Sequence, residues 1–400
     1  MITLVEPSID ILPAFNRINY TISSTNSEEV GFKYVVKVYN SDDELVTTAY
    51  YDSPADPSEP VEFDVSKYVS VDFSYSKGFY ETATSSSSTN AIKSYYLKCY
   101  EYYEVGGEFV IVLASEVVSE VKYAFAGALP LLELKNWYSD IEEYTGSYTG
   151  ESFKPYKPLT DWTNIKMRET DSQIFAFINL GYIIRFEIEV TYKNGTSQTY
   201  NVTPSAVSTP SFTYLKVTPI TYGANVSEIF IRIVWSNNGG IITNGSGFAN
   251  IYIQSCGRYD PMRIAYLNKY GAYDFFNFDL VNKTTFQIEK KGYERNYNGD
   301  IYEANGIVVK NVNPVYFTKE TQNWRIISDY LNDTQAELIR QLYSSPLVYL
   351  NLVNDNYITP SWIPVKPNAT TYEVKKTASD KLFNLELDVE FQLLNNRQVI

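Results

Sequence analysis

The sequence predicts a mainly β protein, with two tandem immunoglobulin/fibronectin-like β-sandwich domains followed by a C-terminal α+β domain with one helix. Three observations carry this expectation. Short apolar runs alternate with polar residues at period 2, the period at which successive strand side chains face opposite ways. Turn signals separate the runs roughly every 8–12 residues, the spacing of a sandwich. One segment alone, near the C-terminus, combines a helical apolar stripe with a start signal.

Residues 1–125 read as the first sandwich. Pro7 and Pro13 punctuate an extended start, and Asn19–Ser23 is a strand. Phe32, Tyr34, Val36 and Val38 alternate with Lys33, Val35 and Lys37, which predicts that the first set faces the core. Ser41–Glu44 is a polar hairpin loop before a returning strand, Leu45–Tyr51. Val61–Val65 alternates again. Ser85–Asn90, a Ser/Thr run, is expected to be a mobile, accessible loop tip. Gly106-Gly107 joins two strands, Tyr95–Tyr103 and Phe109–Val121.

Residues 126–165 form an aromatic-rich irregular linker, with a short helix expected over Leu131–Tyr138. Its aromatics include Trp137, Tyr144, Tyr148 and Trp162. Disordered linkers are poor in aromatics, so docking on a neighbour is expected instead. Residues 166–255 are the second sandwich. Ile184, Phe186, Ile188, Val190 and Tyr192 alternate up to Asn194-Gly195, a strong hairpin signal, and Ile229, Ile231, Ile233 and Trp235 alternate later.

Residues 256–280 read as an inter-domain junction. Turns are expected at Cys256-Gly257 and Lys269–Gly271, with Asn268 and Asp274 hydrogen-bonding backbone there. The aromatics Tyr259, Tyr266, Tyr270, Tyr273 and Phe275 are expected to lock domains or subunits together. Residues 281–400 are the α+β domain. Its helix, Leu331–Leu342, shows a capping box at Thr334 and Glu337 and an apolar stripe of Leu338, Ile339 and Leu342. The last strand sets Phe383, Leu385, Leu387, Val389, Phe391 and Leu393 against Asn384, Glu386, Asp388, Glu390 and Gln392.

Composition narrows the function classes. The chain has 33 Lys+Arg against 47 Asp+Glu, a formal net charge of -14 that repels nucleic acid and anionic membranes. It has no histidine, the commonest general base and zinc ligand, which lowers the expectation of catalysis. Its 37 tyrosines suit strands and interfaces. Two cysteines, Cys99 and Cys256, make no disulfide framework and are expected to be buried thiols. The opening residues lack a basic n-region, and no window reaches the ~18 apolar residues of a membrane span. Synthesis in a reducing cytoplasm is expected.

Three groups resemble sites and have simpler explanations. Glu386, Asp388 and Glu390 share one strand face, as a hydrolase or Ca²⁺ site would need, yet a solvated face whose charges deter edge pairing is the expected reading. The runs Gly239-Gly240 and Gly245–Gly247 join strand to strand and so fail the context test for phosphate binding. Trp162 and Trp235 could stack on sugar rings. No catalytic residue, metal ligand or cofactor site is assigned.

The order of parts resembles a type of phage tail protein seen in crAss-like and related podoviruses of Bacteroidetes. The resemblance rests on Pro13–Tyr20 with Gly31–Val35, on Tyr259–Asp274, and on Trp324–Asp329 with the capped helix and Ser345–Tyr349. It implies a structural virion part, made in the host cytoplasm. Such a part would form a homo-oligomeric ring, collar or hub layer with other tail or collar proteins as neighbours, and with no nucleic acid or membrane partner. A glycan- or receptor-binding adhesin is the alternative.

Overall fold

The computed structural model describes residues 1–56, 58–71, 73, 85–88, 91–137, 156–179, 183–204, 210–236, 242–243, 247–254, 259, 261–293, 301–303, 306–308, 315–352, 361–368, 384–391 and 396–399. The chain is mainly β. It divides into two compact units, Met1–Ser255 with Leu267–Asp274, and Cys256–Tyr266 with Phe275–Ile400. Both predicted sandwiches lie in the first unit, and the stretch 256–280 is shared between the two.

The first unit opens with two sheets. One runs β1 (Ile2–Val5), β3 (Asn19–Ser24), β6 (Val61–Asp64). The other runs β2 (Ile11–Pro13), β10 (Lys122–Phe125), β8 (Ile92–Val105), β4 (Lys33–Asn40), β5 (Leu45–Asp52), and β9 (Glu108–Val118) also pairs with β8. All pairings are antiparallel except β2 with β10, which is parallel. The long β8 takes two partners in succession. Its first part pairs with β10 and its last part with β9. The predicted strand Phe109–Val121 is β9 and ends three residues early, at Val118; there the Ser119 hydroxyl turns back to accept the Leu97 N–H at 2.8 Å, and β10 begins only at Lys122.

Alternation works as expected on β4, where Tyr34, Val36 and Val38 are buried. The same alternation places Val35 on the outer face, yet it is buried too. In register it lies between Tyr50 of β5 and Tyr100 of β8, whose rings can shield a small residue between them. The two sheets meet over aromatic side chains. Tyr20 and Tyr95 share a buried hydroxyl–hydroxyl contact at 3.4 Å, and Tyr51 packs on Phe63 with ring centres 5.0 Å apart. Cys99 is fully buried, and burial pushes its thiol up to about 12, so it is an inert core residue. Cys256 lies outside the described residues.

The same strand order then recurs. A short sheet runs β11 (Tyr156–Pro158), β13 (Gln173–Asn179), β16 (Ser211–Val217). A longer one runs β12 (Asn164–Met167), β19 (Gly247–Ile253), β17 (Val226–Ser236), β14 (Ile183–Tyr192), β15 (Ser197–Val202), with β18 (Ile242–Thr243) on β17. Again one pairing departs from the antiparallel pattern, the parallel pair of β12 with β19. Phe177 on the short sheet packs on Phe186 of the long one, ring centres 5.3 Å apart. The Asn194-Gly195 turn forms as expected, with Gly195 at φ +81°.

Ser85–Ser88 is a correction. Instead of a loop tip it is a strand, β7, paired antiparallel with Phe212–Leu215 of β16. A free sheet edge offers backbone donors and acceptors to any chain that can lie flat, and a serine run can do so without an apolar face. Thr89 and Asn90 lie outside the described residues.

The second unit holds a sheet ordered β21 (Tyr273–Phe278), β20 (Met262–Leu267), β26 (Val348–Leu352), β27 (Ser361–Pro367), β28 (Glu386–Phe391), β25 (Val315–Ile327), β22 (Lys283–Gly292), with β29 (Asn396–Val399) on β25. A two-stranded ribbon pairs β23 (Ile301–Glu303) with β24 (Gly306–Val308). The helix is Asp333–Ser344, burying Ala336, Ile339 and Leu342. Its capping box is Asn332 with Gln335, two residues before the expected pair. Asn332 is extended, and its side chain accepts the Gln335 N–H at 2.9 Å, which sets the first turn there. Leu385, Leu387 and Val389 are buried as alternation predicts, while Phe383 and Leu393 lie outside the described residues.

Candidate functional site

A dense polar cluster lies in the first unit, on the turn Asn268–Ala272. Gly271 is required there twice over. It has φ +73°, and a β-carbon would meet the Ala126 carbonyl oxygen at 2.1 Å. Asn268 builds the turn. Its side-chain oxygen accepts the N–H groups of Tyr270 (3.0 Å) and Ala272 (3.1 Å). Its amide donates to the Leu159 carbonyl at 2.7 Å. The Lys269 carbonyl accepts the Ala128 N–H at 2.7 Å. The turn is thus bonded to the segment that leaves the first sandwich and to the segment that enters the second.

Charge reinforces both attachments. Lys269 Nζ lies 2.5 Å from Glu133 Oε2 and 2.5 Å from Asp161 Oδ2. Burial works against the Lys269 charge, but hydrogen bonds to Asp161 and Glu133 outweigh it and raise the group above its ordinary value. The Tyr270 hydroxyl donates to Asp161 Oδ1 at 2.9 Å, and burial holds that phenol protonated far beyond its usual range. Asp274 is wholly enclosed. Burial pushes its carboxyl up to about 7, against hydrogen bonds from Thr160 and Asn268 that favour the anion. These two partners are side chains, where the sequence leads one to expect backbone groups.

Trp137 closes one flank. Residues 131–137 are helical, as expected for this part of the linker. The Trp137 indole N–H donates to the Ile11 carbonyl at 3.2 Å, and its ring packs on Phe125 and on Tyr270, with centres 4.9 and 6.2 Å away. Lys157 sits over the same ring at 5.5 Å. Residues from 11 to 274 therefore converge on one lock, and its acids, lysine and amide are bonded to one another. Chemically it is a fastening between the two sandwiches.

The nine aromatics expected at interfaces fall into three groups. Trp137, Trp162, Tyr266, Tyr270, Tyr273 and Phe275 are buried inside the chain. Tyr259 is exposed. Tyr144 and Tyr148 lie outside the described residues. Within the second unit Phe275 packs on Trp362, ring centres 5.7 Å apart, and carries the Arg263 guanidinium 5.2 Å above its ring. Trp162 and Trp235 are buried as well, which withdraws them as sugar-stacking platforms. The acidic strand face is partly neutralised, with Asp388 taking a two-pronged pair from Arg325 at 2.8 and 2.9 Å. Among the described residues no group of Cys, Asp and Glu is arranged to hold a metal ion, and no helix is long and apolar enough to cross a membrane.

Glu133, Asp161 and Lys269 carry the lock; the sequence marks Lys269 only as part of a turn, and nothing in it singles out Glu133 or Asp161. Tyr270 and Asp161 are 109 residues apart, so spacing holds no signal of their contact. No family model and no curated protein compared with the chain matches it.

Proposed function

We propose that the chain is a structural component of a phage tail, assembling through protein–protein interfaces into a ring, collar or hub layer. The carrying observation is the repeated strand order, with the two copies fastened by the Lys269 lock. A tandem held by half-buried ions and by hydrogen bonds presents its outer strands at fixed spacing, which suits a part that acts by shape. We read each copy as immunoglobulin/fibronectin-like. The support is a short sheet packed on a longer one whose first and last strands pair in parallel. The resemblance along the sequence to tail proteins of crAss-like podoviruses points the same way.

The test is assembly. The purified chain should self-associate as its concentration rises, and it should be found in purified particles. A chain that stays monomeric and is absent from particles would overturn the reading.

A further inference from the structure

The two sandwiches carry different chemistry on the same outer sheet face. β4 and β8 of the first hold the places of β14 and β17 in the second, and each of these strands has a neighbour on both sides. In the second sandwich the face is charge-balanced. Glu187 lies opposite Arg232 in register, and ion pairs join Arg185 to Glu187 at 2.7 Å and Arg232 to Glu189 at 3.3 Å. In the first sandwich Lys37 lies opposite Lys98. Like charges that face each other across a ladder destabilise it. Neither β4 nor β8 is an edge that lysine would guard. Among the described residues neither lysine pairs with a carboxylate. Lys37 Nζ rests over the Tyr100 ring at 5.1 Å and Lys98 Nζ over the Tyr39 ring at 5.0 Å. Two uncompensated cations therefore stand mid-face on a chain of net charge -14.

The opposite charge lies at the end of the same face, on the hairpin that joins β4 to β5. Asn40 fixes the tip. Its side-chain oxygen accepts the N–H groups of Asp42 (3.0 Å) and Glu44 (2.9 Å), and its amide donates to Glu44 Oε2 at 3.0 Å. Asp43, at φ +60°, accepts the Tyr96 hydroxyl at 3.0 Å, which ties the tip to this face. Between the lysines and the acids stand Tyr39 and Tyr96, opposite each other in register and stacked with ring centres 5.2 Å apart. The order along the strands is thus cation pair, tyrosine pair, acidic tip.

We propose that this face is a two-fold contact between copies of the chain, in which Lys37 and Lys98 of one copy meet Asp42 and Glu44 of the other. A half-turn about an axis lying across the strands at the tyrosine row carries the cations of each copy onto the acids of its partner. One patch then satisfies both copies, which is the pattern of an isologous interface. Tyrosines at the centre with charges around them match the anatomy of such contacts. Charge also sets the orientation, because turning the partner end for end brings lysine onto lysine. The contact rests on the self-assembly in the structural reading above and names one surface through which copies meet.

The experiment uses the full chain in a concentration series read by analytical ultracentrifugation. Lys37→Glu combined with Lys98→Glu, and separately Asp42→Lys combined with Glu44→Lys, should each weaken self-association about tenfold or more. Mixed in equal amounts, the two variants should associate with near wild-type strength, because each then offers the charge that the other lacks. Recovery in the mixture also shows that both variants are folded. Association of unchanged strength in both variants, or a mixture as weak as its components, overturns this contact while leaving the structural reading in place. Loss in one variant alone overturns the pairing of the lysines with the hairpin. A wild-type chain that never associates overturns the contact and the self-assembly on which that reading depends.

Discussion

The two sandwiches of the first unit share a strand order and differ in what completes them. The first has a short sheet of three strands, β1, β3 and β6. The second has β11, β13 and β16, with β7 added at the edge. That fourth strand is Ser85–Ser88, which precedes β8 of the first sandwich in the chain. A segment of the first sandwich is thus built into the second. The repeated topology suggests two separable domains, and the donated strand shows that they are not. Their fastening is also uneven. The Lys269 lock takes Glu133 from one side and Asp161 from the other, on a turn supplied by neither sandwich.

The most direct way to part the two sandwiches is at the turn. Gly271→Val should destabilise the first unit by roughly 3 kcal/mol or more, because backbone strain adds to a clash with a carbonyl that cannot move aside. Chemical denaturation reads this, and an unchanged midpoint would show that the turn holds nothing together. Lys269→Ala leaves two carboxylates facing each other without their cation. Because both carboxylates are about a third exposed and partly screened by water, it should cost about 1 kcal/mol by the same measurement, largely recovered when Asp161→Asn and Glu133→Gln are added.

A third change separates the lock from the sandwiches by pH. The Asp274 carboxyl titrates at about 7 in the fold, above its ordinary value, so the folded state binds the proton more tightly than the unfolded one. Stability from this group is therefore fully present below the unfolded value, about pH 4, and is lost as pH rises towards 7. Asp274→Asn should remove that slope and raise stability above pH 7 relative to wild type, by on the order of 3 kcal/mol. Thermal unfolding of both proteins across this range tests the sign. Parallel profiles would mean that Asp274 is charged throughout.

Proline at Ser86 and Ser87 should detach β7, at a cost of roughly 1–3 kcal/mol. Hydrogen exchange should rise at Phe212–Leu215 of the second sandwich and stay unchanged on β4 of the first. Smallest are the hairpin turns. Gly106→Ala and Gly195→Ala each place a side chain at positive φ with open space around it, and each should cost about 1 kcal/mol. Equal losses would show that the two sandwiches tolerate local strain alike.

The reach of the sequence follows the range of the forces involved. β4, β14 and β17 are legible because burial of one face writes a period of two into the residues. The turns at Gly106-Gly107 and Gly195 are legible because positive φ restricts residue choice. The C-terminal helix is legible from its stripe. Its cap is not, since Asn332 and Thr334 are both acceptable caps and only backbone geometry decides between them. β7 is not legible either. Its strand state comes from an edge on β16, more than a hundred residues later, and not from its own serines. The Lys269 lock escapes for the same reason. The aromatics of the junction stretch stand out in the sequence, but their exposure does not, because a ring that is buried and one that docks have the same composition.

The parallel pairs β2–β10 and β12–β19 have a mechanical consequence. Each joins a strand where the chain enters a sandwich to one where it leaves. Tension applied across the entry and exit points pulls such strands in opposite directions along their length. The backbone bonds between them are then loaded in shear and must yield together, where an end-to-end zipper would yield one at a time. Each sandwich is thereby clasped against stretching along the chain, a property apart from its thermal stability.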